Sequence, residues 1–281
     1  MSGYRGRLAP SPTGHLHLGH ARTFWEAQSR ARAAGGVLVL RIEDLDRGRC
    51  RAEFEAAIGE DLRWFGFTWE EGPDVGGAYG PYRQSERMER YREAFGRLWG
   101  GQAVFPCRCS RRDIQAALGA PHAGEEEPVY PGTCRSRREA GATWEGWTWR
   151  LRVPDGEEVR FVDGRFGEQR FVAGRDFGDF VVWRADGVPG YQLACVVDDA
   201  AMGITEVVRG EDLLLSTARQ VLLYRALGWR VPAFRHCELM RDGTGTRLAK
   251  RHAALSLGRL REGGMTPEEL RKGWEVSATF L

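Results

Sequence analysis

Residues 37–46 read "VLVLRIEDLD" and begin with four apolar residues in succession. Such a run is the pattern of a strand buried on both faces, as strands of parallel sheets are. Upstream, Tyr4 to Ala9 reads as a short strand stopped by Pro10 and Pro12. A helix follows from about Gly19 to Ala34, with Phe24, Trp25 and Gln28 on related faces, and Gly35-Gly36 ends it. Strand, helix and buried strand make a βαβ unit. Its right-handed crossover implies an α/β fold with a Rossmann-like, doubly wound parallel sheet.

The rest of the chain divides by character. Two amphipathic stretches, Glu53–Phe65 and Glu86–Leu98, are separated by the loop "EEGPDVGGAYGPYR". Residues 1–101 therefore read as the first half of the α/β domain. Residues 102–188 hold a cysteine cluster and short aromatic or β-branched runs such as "WTWRLRV" and "FVVWRADG", the look of an inserted, mostly β subdomain. The α/β pattern resumes over 189–233 with "YQLACVVDDAAMGITEVVRGEDLL" and a helix near Ser216–Leu227, and 234–281 reads as a loop followed by short helices.

With 281 residues, the chain suits one large domain or a core with an insertion. A formal net charge of +2 does not by itself call for a polyanionic partner, although a local basic face still suits nucleic acid. No apolar run reaches membrane-spanning length, and six scattered cysteines do not form a secreted disulfide framework. A cytoplasmic protein is expected. Of 41 basic residues only Lys250 and Lys272 are lysines, so a lysine marks a place where arginine does not serve, or an accident.

The stretch "PTGHLHLGHAR", Pro12 to Arg22, admits three readings. His15, His17 and His20 suggest a metal, but no Cys, Asp or Glu of matching spacing stands close by. A plain strand-to-helix turn with incidental histidines is the second. The third is a nucleotide site: Gly14 and Gly19 admit close approach, the helix N-terminus attracts phosphate, and His17 and His20 donate to it. There is no G-x-x-x-x-G-K-[ST] loop, so a triphosphate needs another cation. "DGTGTRLAKR", Asp242 to Arg251, offers Arg247, Lys250 and Arg251 on a Gly-rich loop; its bland alternative is a solvated basic loop.

Taken together, these motifs resemble a known family. "APSPTGHLHLGH" is similar to the HIGH motif of class I aminoacyl-tRNA synthetases and "RLAKR" to their KMSKS loop. "RLAPSPTG", "RIEDLD", "GPYRQSER", "YQLACVVDDAAMGITEVVRGEDLL" and "RLAKR" stand in the order typical of glutamyl-tRNA synthetases, over Arg7 to Arg251. The resemblance implies a glutamate site of Arg7, Ala9, Ser11, Glu43, Tyr191 and Arg209. In it Arg7 and Arg209 take carboxylates and Glu43 takes the α-ammonium, a charge pattern that suits the substrate. Read alone, Glu43 and Asp44 are equally a helix-capping acidic turn. ATP, with Mg2+, would contact His17, Gly19, His20, Arg247 and Lys250, with His17, His20 and Lys250 as the catalytic groups.

Only Arg251 to Leu281 follows the KMSKS-like loop, too little for helical anticodon-binding domains. In this the chain resembles the truncated branch of the family, the glutamyl-queuosine tRNA(Asp) synthetases. The implied activity is adenylation of L-glutamate without tRNA, then transfer to the queuosine base in the anticodon of tRNA(Asp), by a monomer. "CRC" (Cys107, Cys109) and "YPGTC" (Tyr130, Cys134) match that branch's zinc site, with Tyr130 as fourth ligand, His122 as its rival and the metal structural. Cys50, Cys195 and Cys237 read as ordinary thiols. Two alternatives stand beside this reading: a glutamyl-tRNA(Glu) synthetase core without its anticodon domain, and a non-catalytic tRNA-binding relic. The second arises because Arg247 stands where the family usually has Lys, and Ala249 where it has Ser.

Overall fold

A computed structural model describes residues 3–110, 112–114, 129–136, 144–240, 256–272 and 274. Arg247, Lys250, Arg251 and His122 lie outside them. The chain forms two compact units, one of Met1–Glu86, Gly203–Asp212 and Pro232–Leu281, the other of Arg87–Met202 and Leu213–Val231.

In the first unit, β1 (Arg5–Leu8) and β2 (Val37–Leu40) pair in parallel, with Leu8 opposite Leu40, and α1 (Leu18–Ala33) connects them. This is the βαβ unit expected from "VLVL". The return into β2 is tight: Gly35 has φ +56° and the N–H of Val37 donates to Tyr4 O at 2.9 Å. A Cβ on Gly36 would stand 2.5 Å from that same oxygen, so only glycine fits there. α2 (Ala52–Phe65) carries Glu53 and Glu55 in its first turn and ends at Gly66 in the left-handed conformation.

Leu8, Leu38, Leu40, Ile42, Ile58, Leu62 and Phe65 share one core with the inner face of α1. Each fully buried side chain of this size contributes about 1.5–3 kcal/mol. A second parallel pair follows, β8 (Glu206–Gly210) with β9 (Ala233–Cys237). Two short helices, α6 (Leu257–Glu262) and α7 (Pro267–Arg271), complete the unit.

The second unit contains α3 (Met88–Gly100), the antiparallel sheet of β3 (Val104–Cys107), β4 (Thr148–Leu151) and β7 (Val181–Trp183), and the hairpin of β5 (Glu158–Asp163) with β6 (Gly167–Val172). Its helices α4 (Tyr191–Ala201) and α5 (Leu214–Leu227) are buried over most of their length, polar residues such as Asp198, Thr217 and Gln220 included. Phe95 of α3 packs against Trp144, Trp149 and Trp183, with ring centroids 4.6, 5.6 and 5.2 Å away. The fully buried Arg87 and Tyr91 both bond the Asp198 carboxylate, at 2.6 and 2.8 Å, so that charge is paired. Among the described residues no helix is long and apolar enough to cross a membrane.

Asp61 of α2 is buried, its Oδ1 3.8 Å from Arg261 of α6 and its Oδ2 without a hydrogen bond among the described residues. Burial pushes this carboxyl up to about 6, against the pull of Arg261 and His15. A folded-state value above the ordinary 3.8 means that the folded protein holds the proton more tightly. The associated stability is full below 3.8 and is lost as pH rises through about 6. Asp61→Asn is expected to raise the melting temperature, and to do so more at about pH 7.5 than at about pH 4.5. Equal effects in calorimetry at both pH values would refute this account.

Candidate active site

The histidine-rich stretch of the first unit builds the N-terminus of α1. His17 is the N-cap, with extended backbone, and its Nδ1 accepts the Gly19 N–H at 3.1 Å. His20, one turn on, returns the bond: its Nδ1 accepts the His17 N–H at 3.2 Å. This is a capping box made of two imidazoles, which satisfies two of the helix's open donors. A nitrogen that accepts from an N–H carries no proton, so each neutral ring bears its proton on Nε2. The rings lie 3.8 Å apart, centroid to centroid, and the first turn holds no acidic residue to offset the helix dipole.

Gly19 leaves room for the His17 ring: a Cβ there would lie 3.0 Å from His17 Cε1, so the ring would have to shift by a few tenths of an ångström. Gly14 has open space in the same direction and no positive φ. Nothing among the described residues therefore demands glycine at 14. His15 stands apart: it is exposed and sets its ring edge-on against Phe54, centroids 5.1 Å apart.

Three strand ends of this unit carry the predicted charged residues. Arg7, in β1, is buried and donates from Nη1 to Val208 O at 2.8 Å. Arg209, in β8, is buried beside His236, to whose Nε2 its Nε donates at 3.3 Å, and lies over the Phe234 ring at 5.4 Å. Glu43 follows β2; its N–H donates to Pro10 O, and its carboxylate accepts from the fully buried Arg41 at 2.9 Å. Asp44 does something else. Its carboxylate accepts the N–H and Oγ of Ser85, at 2.8 and 2.5 Å, and so holds the turn at Gln84–Glu86. Asp44 thus ties its segment to a turn 41 residues on and does not cap α2, whose N-cap is Arg51 without a side-chain bond.

Ala9 is half-buried and Ser11 exposed, both on the segment between β1 and α1. Tyr191 belongs to the second unit, where it opens α4 and is 44% exposed. Arg41 and His236 were not singled out by sequence reasoning. Arg41 is the first residue after the apolar run, and a buried arginine at that point is legible only once Glu43 is known to need a partner.

The segment with Arg247 and Lys250 lies outside the described residues, but both its flanks are fixed. On one side Leu239 N donates to Glu211 Oε1 at 3.1 Å, just after β9. On the other, Ser256 bridges His17, and Leu257 N donates to Leu16 O at 2.9 Å. The chain therefore returns from that segment beside the two histidines.

In the second unit, the Sγ atoms of Cys107, Cys109 and Cys134 lie within 4.8 Å of one another. Tyr130 Oη lies 3.4 Å from Cys107 Sγ and 3.7 Å from Cys109 Sγ, and Cys109 and Cys134 are 3.5 Å apart. Tetrahedral zinc with sulfur at 2.3 Å and oxygen at 2.0–2.2 Å needs edges of about 3.5–3.8 Å, so the donor set fits that ion. Burial pushes the Cys109 thiol up to about 11 and raises Tyr130 in the same direction. Burial also acts upward on Cys134, but the Arg108 N–H and the Tyr130 side chain outweigh it and bring that thiol down to about 7. Cys195 is buried and Cys50 and Cys237 partly so, and none of the three is in a disulfide.

Cap and chemistry are separable at His17. His17→Ala is expected to cost about 1 kcal/mol of stability through the lost cap. His17→Asn keeps a capping oxygen and so retains the melting temperature, but has no counterpart of Nε2–H. A melting temperature for the Asn variant as low as for the Ala variant would refute the capping role.

Residues 4–277 match the family described as tRNA synthetases class I (E and Q), catalytic domain. The chain is 54% identical over 269 residues to the Glutamyl-Q tRNA(Asp) synthetase of Symbiobacterium thermophilum, covering 94% of this chain and 83% of that protein. It is 49% identical to the Glutamyl-Q tRNA(Asp) synthetase of Nitratidesulfovibrio vulgaris, with 93% and 82% covered. Among solved structures, a glutamate tRNA ligase from Elizabethkingia meningosepticum in complex with its amino acid superposes with a TM-score of 0.77 at 33% identity, over 89% of this chain and 52% of that one. Two histidines at a helix N-terminus, buried arginines at strand ends and a match along nearly the whole sequence agree: the chain belongs to the class I tRNA synthetases of the glutamate and glutamine type.

Proposed function

We propose that this enzyme activates L-glutamate with ATP, without tRNA, and transfers the glutamyl group to the queuosine base in the anticodon of tRNA(Asp). The observation that carries the choice of acceptor is the 54% identity that spans both partners, 94% of this chain and 83% of a protein named for that reaction. ATP, with Mg2+, is the second substrate of the class.

In this reading the carboxyl ends of the parallel strands form the substrate cleft, where α/β folds bind ligands. Arg7 and Arg209 take glutamate carboxylates and Glu43, held by Arg41, takes the α-ammonium. Ala9, Ser11 and Tyr191 line the amino-acid site. The Nε2–H groups of His17 and His20 donate to ATP phosphate as negative charge grows on it, and Gly19 admits the approach. Arg247 and Lys250, on a segment whose return is tied to Leu16 and His17, offset the leaving pyrophosphate. Residues 102–188 form the inserted subdomain. Cys107, Cys109, Tyr130 and Cys134 hold one zinc ion there, which cross-links strand and loop and takes no part in the chemistry.

Glutamate-dependent ATP–pyrophosphate exchange in the absence of tRNA tests the first half. Labelled glutamate offered with tRNA(Asp), with and without queuosine, tests the second. Exchange without tRNA, and label only on the queuosine-bearing form, is the expected result; equal labelling of both forms, or labelling of tRNA(Glu) alone, would overturn the acceptor. Lys250→Ala is expected to lower the exchange kcat about 100-fold with the KM for glutamate within about twofold of the original. An unchanged kcat would make the lysine incidental.

A further inference from the structure

Arg150 lies in the middle of β4, 5% exposed, in a strand whose pairing register with β7 shifts between Trp149 and Arg150. Trp149, Arg150 and Leu151 are consecutive and all buried, so strand alternation alone does not send the arginine outward. The register shift is the kind of irregularity that re-aims a side chain.

The polar contacts of Arg150 are unusual for a buried guanidinium. Its Nε donates to Cys107 Sγ at 3.4 Å, its Nη1 donates to the main-chain oxygen of Asp179 at 3.0 Å, and its plane lies over the Tyr130 ring at 4.1 Å. The Asp179 carboxylate is used elsewhere: it accepts the Val153 N–H and lies 3.5 Å from Arg135. Among the described residues no carboxylate forms an ion pair with Arg150. An arginine cannot shed its proton, and a buried cation without a counter-ion costs several kcal/mol. The groups it does touch are a thiol and a phenol of the four-residue cluster.

The charge of a loaded cluster resolves this. Three thiolates and one zinc ion leave one net negative charge with a neutral phenol, and two with a phenolate. We propose, on the zinc reading above, that Arg150 is the built-in counter-ion of the metal centre and the positioning residue of its ligands. It donates to the Cys107 sulfur, holds the Tyr130 ring from its face and is itself fixed by the Asp179 carbonyl. Hydrogen-bonded partners behind metal ligands commonly carry 10- to 100-fold of metal affinity. Cation–π contact with the ring adds to the hold on Tyr130.

The test starts with metal content and chelator-competed zinc affinity of the purified full-length enzyme. A wild-type protein that takes up no zinc ends the zinc reading, and this inference with it. If the wild type binds zinc, Arg150→Met is expected to bind it 10- to 100-fold more weakly. Arg150→Lys, which keeps the charge but not the fork, should fall between the two. Arg152→Met, lacking the exposed neighbour on the same stretch, should stay within about twofold of wild type.

A role in packing alone would lower the melting temperature equally with and without metal, whereas the counter-ion role lowers it more in the zinc-loaded protein. In cobalt-substituted protein, loss of the N–H···S bond should move the thiolate-to-metal charge-transfer band to longer wavelength, because the bond stabilises the sulfur lone pair. If Arg150→Met does not fold, Arg150→Lys carries both measurements. Zinc affinity within twofold of wild type and an unmoved cobalt band, in a variant that folds, would overturn the inference while leaving the zinc site in place.

Discussion

The parallel pairing of β1 with β2 is the constraint on which the first unit rests. Parallel neighbours cannot be joined by a tight turn, so the chain must cross over, and α1 is that crossover. β2 is wholly apolar, Val37–Leu40, whereas β1, Arg5–Leu8, carries two arginines, of which Arg7 is buried. Glu43 stands beyond β2, Arg7 near the end of β1, and the N-terminus of α1 follows β1 on the same side of the connection. In the proposed site a substrate with two carboxylates and one ammonium would meet Arg7, Arg209 and Glu43, two arginines and a carboxylate carried by or following parallel strands.

The start of α1 shows how closely folding and chemistry share residues. An N-cap needs a side-chain acceptor, and serine, threonine or aspartate would be the usual provider. Here two imidazoles accept instead, each through Nδ1. That choice fixes the tautomer, and with it a donor at Nε2, which a hydroxyl or carboxylate cap would not present in the same way. The missing Cβ of Gly19 is part of the arrangement, since it gives the His17 ring its room.

Local pattern made much of this readable in the sequence. The apolar run of β2, the glycine pair before it and the amphipathic stretch of α2 each carry their signal within a few residues, and the structure has these elements where the pattern puts them. The histidines were legible as a helix start but not as a reciprocal cap, because a capping box is ordinarily read from Ser or Thr followed by Glu or Gln. Asp44 and Glu43 could not be told apart by type; the difference lies in Ser85, 41 residues on, and in Arg41, two residues back. Asp61 was not singled out by sequence reasoning. Helical period puts position 61 on the same face as Ile58 and Phe65, where a carboxylate is out of place, and its partner Arg261 lies 200 residues away.

Arg150 belongs to that second kind, and it shows why buried charge is poorly legible. In "WTWRLRV" the arginines at 150 and 152 alternate with apolar residues, the pattern of a half-exposed strand with both arginines in water. The structure separates them: Arg152 is exposed and Arg150 is enclosed. Alternation fails because the strand shifts register against β7 and is covered on both sides, so side-chain period no longer reports the environment. What decides the energetics is then the counter-charge, which on the proposed zinc reading comes from the thiolates of Cys107, Cys109 and Cys134. A cysteine cluster read as ligands alone omits the cation that makes its anionic, metal-loaded form compatible with a buried site. The same logic applies to Asp198, which is enclosed with Arg87 and Tyr91 already bonded to it and so needs no ligand to explain it. The Arg87–Asp198 pair is closed within the protein, whereas on the proposed zinc reading the centre beside Arg150 would be completed by a metal.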